Sequence, residues 1–208
     1  MKIAVVAANG RSGRAFVEQA LAAGHSIRAG VHSGSLTSHP NLTVVECDAT
    51  VPSDVENLIK DQDAVVSFIG HVKGSPARVQ TEAMKVLSAA MNKQGIKRLV
   101  SLTGTGVRFP GDRVGFVDWF LNTGIAIVDP ERIQDGKDHV AFLQKSDLDW
   151  TILRVLKLQN VKSAAFNLTP HGPTKWFVGR EEVAQAALQV LQENTFIKEA
   201  PIISRATA

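Results

Sequence analysis

The chain opens with an unbroken apolar run that stops at a glycine-rich turn and leads into a helical pattern. Residues 3–7 are all apolar, residues 7–13 read AANGRSG, and apolar side chains recur at helical spacing over residues 16–21. An apolar run without alternation is typical of a strand that is buried on both faces of a parallel sheet. The segment therefore predicts a strand, a tight turn and a helix whose first amides lie at one edge of that sheet.

The glycines of this turn, Gly10 and Gly13, indicate an anion site. The unpaired N–H groups and the dipole at a helix N-terminus attract a phosphate. Glycine allows the backbone to approach that phosphate where a Cβ would block it. Alanine at position 7 stands where the usual dinucleotide pattern has its first glycine. The turn predicts a dinucleotide site, and a tight turn without a ligand is the alternative interpretation of this segment alone.

Short apolar runs and helical patterns alternate along the rest of the chain. This alternation predicts right-handed βαβ units and an α/β fold, a Rossmann-type doubly wound parallel sheet with helices on both faces. We expect one domain over residues 1–208, in which residues 104–129 and 156–179 form loops on the substrate side. The predicted strands are residues 3–7, 27–31, 42–47, 64–69, 98–102, 150–155 and 201–204, and the later helices are residues 52–59, 76–93, 130–146 and 181–192.

Composition restricts the class of protein further. The formal net charge is only +3 and the basic residues are scattered, which argues against nucleic-acid binding. A single cysteine, Cys47, excludes an internal disulfide, and we interpret it as a small buried apolar residue. The six histidines lack ligand spacing, so we expect no metal site. No apolar stretch reaches membrane-spanning length, and we expect a cytoplasmic protein that does not bind membranes.

The end of the second predicted strand bears on the choice between NAD and NADP. NAD sites usually carry Asp or Glu at this position to hold the ribose hydroxyls, whereas residues 31–34 read VHSG. Arg11 and Arg14 place positive charge at a helix start, where it opposes the helix dipole unless an anion is bound. We therefore predict NADP as the cofactor, with His32 and Ser33 as hydrogen-bond donors, and keep NAD as the alternative.

Together these segments resemble the NAD(P)H-binding group of atypical short-chain dehydrogenases/reductases, which includes flavin/biliverdin-IXβ reductase and the NmrA-like proteins. The resemblance extends over nearly the whole chain. Its carriers, in order, are residues 7–13, 24–28, 46–49, 66–70, 96–100, 146–154 and 180–184.

The resemblance implies a role for each matching position. The residues of the turn would hold the pyrophosphate, and His32 would stand where the family commonly has an arginine for the 2′-phosphate. Asp48 and Ala49 would face the adenine, and Thr103 would lie close to the nicotinamide. The implied cofactor contacts are Gly10, Arg11, Ser12, Gly13, His32, Ser33, Asp48, Ala49, Ile69, Gly70, His71, Thr103 and Val155.

Catalysis is constrained by the complete absence of tyrosine. Typical short-chain dehydrogenases transfer a proton through a Tyr-x-x-x-Lys pair, and this chain cannot supply one. Lys137 lies near the position of the family's lysine, but Ile133 precedes it by four residues, and we interpret Lys137 as a solvated helix residue. Hydride transfer to a flavin or quinone needs little acid–base help. We expect Thr103 to donate a hydrogen bond and Lys157 to neutralise a developing anion.

A non-catalytic NADP-binding redox sensor of the NmrA-like type is the alternative function, since it also needs no tyrosine. Epimerase or dehydratase chemistry would require a larger C-terminal substrate domain. The partner we expect is a small-molecule acceptor, and the oligomeric state stays open.

Aromatic residues beyond the fifth predicted strand are candidates for the acceptor site. Phe116, Trp119 and Phe120 either form a lid over the nicotinamide or belong to the underside of a surface helix. Candidate pocket walls are Phe109, Phe166 and Trp176.

Overall fold

The computed structural model describes residues 1–72, 74–161, 164–174 and 177–206. Strands and helices alternate as the sequence predicts. In chain order the elements are β1 (Lys2–Val6), α1 (Arg11–Ala22), β2 (Ser26–Val31), β3 (Leu42–Glu46), α2 (Pro52–Ile59), β4 (Ala64–Ser67), α3 (Val79–Gln94), β5 (Arg98–Gly104), α4 (Phe116–Val128), α5 (Pro130–Gln144), β6 (Asp149–Val155), β7 (Leu158–Gln159), β8 (Phe166–Thr169), β9 (Val178–Gly179), α6 (Arg180–Gln192) and β10 (Ile202–Arg205).

Within the described residues, eight strands form one sheet in the order β3-β2-β1-β4-β5-β6-β10-β8. Every neighbouring pair is parallel except β10 and β8, which run antiparallel at the edge. The order reverses direction after β1, because β4 returns to the other side of β1 from β2. This is the topological switch point at which ligands of doubly wound sheets bind. The predicted fold class is confirmed.

The first strand is buried on both faces, which explains its unalternated apolar sequence. Ile3 and Val5 belong to the core between the sheet, α1 and α6, together with Phe16 and Val183. Val6 lies in the second core, against α2 and α3. The two helical layers therefore each require an apolar side chain from alternate positions of β1.

The substrate-side regions contain more structure than the sequence predicts. Residues 104–129 include helix α4, and residues 156–179 include β7, β8 and β9, so neither region is a loop throughout. Phe116, Trp119 and Phe120 lie on a helix, which was the alternative to a lid. Residues 116–121 read FVDWFL, and five apolar residues around a single Asp give no clear amphipathic pattern in so short a segment. In the structure, the residue of α4 that is fully buried is the polar Asp118.

Two further expectations from composition concern the single cysteine, Cys47, and membrane-spanning helices. Cys47 is 5% exposed and free, and burial, with Asp54 and Asp48 nearby, raises the pKa of its thiol to about 11. It is a small buried residue, as predicted. Among the described helices, none is both long and apolar enough to cross a membrane.

Candidate functional site

The predicted site residues follow the carboxyl ends of parallel strands and therefore gather at one edge of the sheet. The turn over residues 7–13 follows β1, His32 follows β2, and residues 69–71 follow β4. Thr103 and Val155 are among the last residues of β5 and β6. This edge is the position that the doubly wound topology assigns to a ligand.

The glycine-rich turn has the geometry of a dinucleotide-binding turn. Ala7 has a φ of 57°, so an alanine adopts the left-handed conformation for which the first position usually carries glycine. A Cβ on Gly13 would lie 2.4 Å from the carbonyl oxygen of Ala7 and 2.7 Å from that of Ala8. Gly13 is therefore required for the close approach of α1 to β1, the task of the third glycine in this class of turn.

The first turn of α1 is open to an anion. Gly10 is the N-cap and provides no side-chain hydrogen bond, and the first turn contains no acidic residue. The backbone amides of Arg11, Ser12 and Gly13 have no hydrogen-bond partner within the described residues. Free amides and the positive end of a helix dipole are the groups that can hold an anion at the predicted position.

The loop after β2 is tied to this turn by two side chains. The Asn9 amide donates to the carbonyl of Ser33. The Arg14 guanidinium donates to the carbonyls of Asn9 and Ser35, each at 2.9 Å. His32 is exposed, and the loop that follows β2 lies beside the positive charge of Arg14.

Asp48 and Ala49 form a tight turn beyond β3. The Asp48 carboxylate accepts hydrogen bonds from the amide of Thr50 at 2.8 Å and from its hydroxyl at 2.7 Å. These bonds lower the pKa of Asp48, and the charge of His32 lowers it further. Asp48 and His32 are thus near neighbours at the adenine side of the predicted site.

His71 is held by a buried carboxylate of α5. Its Nε2 lies 2.8 Å from Oδ2 of Asp135, whose side chain is fully buried. Asp135 also accepts from the backbone amides of Gln80 and Thr81 at 2.9 Å each, and so caps α3, whose own N-cap side chain makes no such bond. The Gln80 side chain in turn donates to the carbonyl of Ile69. Residues 69–71 are thereby fixed between α3 and α5, and Gly70 is exposed.

Thr103 and Val155 lie near the ends of the adjacent strands β5 and β6, and Val155 packs in the core with α1 and α6. Thr103 pairs with Arg154 in the sheet, and the amide of Thr105 donates to the carbonyl of Val155 at 2.9 Å. Thr103 is 5% exposed. A Cβ on Gly136 of α5 would lie 3.0 Å from Oγ1 of Thr103. The hydroxyl therefore faces α5, the helix on which the family's catalytic pair would lie.

That face of α5 carries no phenol, and Ile133 takes the position four residues before Lys137. A Cβ on Gly106 would lie 2.6 Å from Cδ1 of Ile133, so Ile133 packs against the backbone after β5. Lys137 is exposed, which agrees with its interpretation as a solvated residue.

Several predicted substrate-side residues have other surroundings. Lys157 is exposed, with Nζ 5.3 Å from the ring centroid of Phe177. Phe109 stacks under the buried guanidinium of Arg154, 4.6 Å from the ring centroid, and Phe166 packs against the core in β8. Phe109 and Phe166 thus serve packing, while Trp176 lies outside the described residues.

One cation near the glycine-rich turn, Arg180 at the start of α6, was not among the predicted site residues. Helix α6 packs on α1, where Gln19 donates to the carbonyl of Glu181. Burial lowers the pKa of Arg180, and the charge of nearby Arg11 adds to that shift. Arg180 donates to the Asn160 side chain. Within the described part of the chain, neither arginine has a carboxylate at ion-pair distance. Motif order marked the segment 180–184, but only the packing of α6 on α1 brings these charges together.

Sequence reasoning also missed the buried ion pair that supports this edge. Arg154 is 0% exposed, and its Nη2 donates to Oδ1 of Asp112 at 2.9 Å. It also donates to the carbonyls of Val107, Pro170 and Ala200. The segments after β5 and before β10 are therefore fixed to the end of β6. No cluster of three or more possible metal ligands occurs among the residues that the structure describes.

This combination of sheet order, strained first turn and open helix start defines a Rossmann-fold NAD(P)-binding protein. A model of the NAD(P)H-binding family matches residues 7–194, and the chain belongs to this family. The resemblance to atypical short-chain dehydrogenases/reductases is consistent with that assignment. An uncharacterized chloroplastic protein of Arabidopsis thaliana is 28% identical to it over 224 residues, with 100% of this chain and 78% of that protein covered.

Solved structures share the fold at low sequence identity. A wide-type short-chain dehydrogenase/reductase of Veillonella parvula, solved in complex with NADP, superposes with a TM-score of 0.79 at 21% identity, covering 98% of this chain and 93% of that one. A Streptococcus pneumoniae protein provisionally named an NADH-flavin reductase has a TM-score of 0.79 at 19% identity, covering 99% of this chain and 100% of that one.

Proposed function

We propose that the protein is an NADPH-dependent reductase that transfers hydride to a flavin, a quinone or a similar conjugated acceptor. The observation that carries the proposal is the pairing of an open anion site at α1 with an α5 face that lacks tyrosine. Bound NADPH would supply the hydride, and the acceptor ring would take up the electron pair without a proton from a phenol. Orientation of two rings is then the main contribution of the protein.

The choice of NADPH rests on charge. Arg14 lies beside the loop after β2, which has no carboxylate at the position where an NAD site usually has one. The charges of Arg11 and Arg180 are close enough to repel each other, and neither has a carboxylate partner among the described residues. Repulsion between two cations is relieved when an anion binds to them. We assign both arginines to the diphosphate of the cofactor.

Thr103 is the group that we assign to the acceptor end of the cofactor. Its hydroxyl is buried beneath α5 at the end of β5, where a hydrogen bond is stronger than in water. Lys157, which follows β6, supplies a positive charge on the same edge. We propose that these two groups stabilise the negative charge that develops on the reduced acceptor.

The test is NADPH oxidation, followed at saturating cofactor with a panel of flavins and quinones, and repeated with NADH. We expect acceptor-dependent turnover with NADPH, and in the Thr103→Val variant a larger loss of turnover than of affinity for NADP⁺. Binding of NADP⁺ without turnover of any acceptor would contradict the reductase assignment and favour the redox sensor, for which the missing tyrosine is equally suitable.

A further inference from the structure

Helix α4 presents its large apolar side chains to solvent. Phe116, Trp119 and Phe120 are 76%, 54% and 61% exposed, and Ile127 and Val128 are 77% and 86% exposed. At these exposures the three aromatic rings alone leave on the order of 300–450 Å² in water. With the exposed valines and isoleucine of the helix, the apolar surface reaches about 600–700 Å², at or beyond the upper limit usual for a monomer.

This orientation of α4 is fixed by polar contacts on its inner side. Asp118 is 1% exposed and accepts from the hydroxyl of Thr105 at 2.7 Å and from Arg108 at 2.6 Å. Asn122, one turn later, donates to the same hydroxyl at 3.1 Å. A rotation of α4 that buried its aromatic side chains would separate Asp118 from Thr105 and Arg108. The buried polar groups left without hydrogen bonds would cost several kcal/mol of stability. The apolar face therefore stays outward.

The exposed face has the spacing of a helix-pairing seam. Phe116, Phe120, Thr123 and Ile127 follow one another at intervals of four, three and four residues, which is the spacing at which two helices interdigitate. Phe116 already stacks on Phe120, with the ring centroids 6.3 Å apart. Small residues, Thr123 and Gly124, at the middle of the seam permit a close approach of a second helix.

The charge and the area of the exposed face of α4 indicate which kind of partner covers it. The helix carries no Lys or Arg, and its one acidic residue is the buried Asp118. Helices that lie on membranes usually carry basic residues on a polar face that reaches the lipid headgroups, and here the polar face is occupied by the protein. An uncharged face pairs with its own copy around a twofold axis without any charge complementarity. Its area approaches the roughly 800 Å² per partner of a standard interface.

We propose that two copies of this chain associate through α4, with the two seams packed against each other. Because Thr105 follows the predicted site residue Thr103 on the chain and holds Asp118, the interface is connected to the acceptor end of the site. The inference concerns association only and stands whether or not the protein is a reductase.

The test is sedimentation equilibrium of the full chain and two variants over a range of concentrations. We expect a dimer with a dissociation constant of about 10 μM or tighter, and a monomer for Phe120→Glu with an unchanged far-ultraviolet spectrum. Val44→Glu, which places the same charge on an exposed valine of β3, is the matched control and remains dimeric. A monomeric wild-type chain at about 100 μM would overturn the proposal, as would a Phe120→Glu dimer or a monomer that binds neutral lipid vesicles through this face.

Discussion

The Asp135 carboxylate on α5 caps α3 through Thr81, whose backbone amide donates to Oδ1 at 2.9 Å and whose hydroxyl donates to the same oxygen. The other carboxylate oxygen accepts from His71 and from the amide of Gln80. One buried side chain thus joins two helices to the loop after β4, at the ribose side of the proposed cofactor site.

We predict that Asp135→Asn lowers the free energy of unfolding by about 2–4 kcal/mol, because whichever oxygen becomes an NH₂ group faces two donors in a buried environment. Urea denaturation measures the loss. Asp138→Asn on the same helix removes an exposed ion pair with Arg78 and should cost less than about 1 kcal/mol. Equal losses in the two variants would show that Asp135 is not the anchor described here.

Stability should fall with acid because of His139. Burial lowers the pKa of this histidine from 6.5 to about 4, although the charge of Asp135 opposes the shift. His139 therefore binds a proton below pH 6.5 in the unfolded chain but only below about pH 4 in the folded chain. The stability that is present above pH 6.5 is lost as the pH falls from 6.5 to about 4. The full loss is about 3 kcal/mol. Urea denaturation between pH 7 and 4.5 should show this slope, and the His139→Gln variant should lack that part of it.

Gly13→Ala should prevent binding of NADP⁺, because the new Cβ would meet two backbone carbonyl oxygens that cannot rotate away. We expect a loss of stability of about 1–3 kcal/mol and no thermal shift with NADP⁺. Gly10→Ala serves as the graded comparison, since its Cβ would lie 3.2 Å from the Ala7 carbonyl oxygen. If Gly13→Ala binds NADP⁺ like the wild-type chain, the turn does not hold the diphosphate.

Arg180→Gln should weaken NADP⁺ binding about tenfold through the loss of a charge-assisted contact, and Arg180→Lys should recover part of it. Isothermal titration calorimetry measures both. Arg132→Gln is the control, because Arg132 pairs with Asp129 at the exposed start of α5. Weakening that appears only with a phosphorylated acceptor would assign Arg180 to the acceptor instead.

His32→Asp should shift the preference from NADPH toward NADH by at least about tenfold. A carboxylate at the end of β2 would repel a 2′-phosphate and hold the ribose hydroxyls of NADH. The ratio of kcat/KM for the two cofactors measures the change. Ser38→Asp adds the same charge farther along the exposed loop, and its ratio should stay near that of the wild-type chain. An unchanged ratio in His32→Asp would place the 2′-phosphate elsewhere.

The sequence alone was sufficient for the parts of the protein that depend on local pattern. An unalternated apolar run has to be buried on both faces, so residues 3–7 predict a central strand, and alternation with helices predicts the doubly wound sheet. Gly10 and Gly13 predict the anion site, because the need for glycine at a close approach is a property of the backbone itself. The absence of tyrosine needs no structure to interpret.

Tertiary structure decided what depends on residues far apart in the chain. Asp135 and Arg154 are charged residues that sequence patterns assign to the surface, yet each is buried where partners from several segments meet. Arg180 approaches Arg11 only because α6 packs on α1. Helix α4 faces outward because Asp118 finds Thr105 and Arg108 on its inner side. The free energy of a buried polar contact depends on partners that only the folded chain brings together, so no local pattern specifies it.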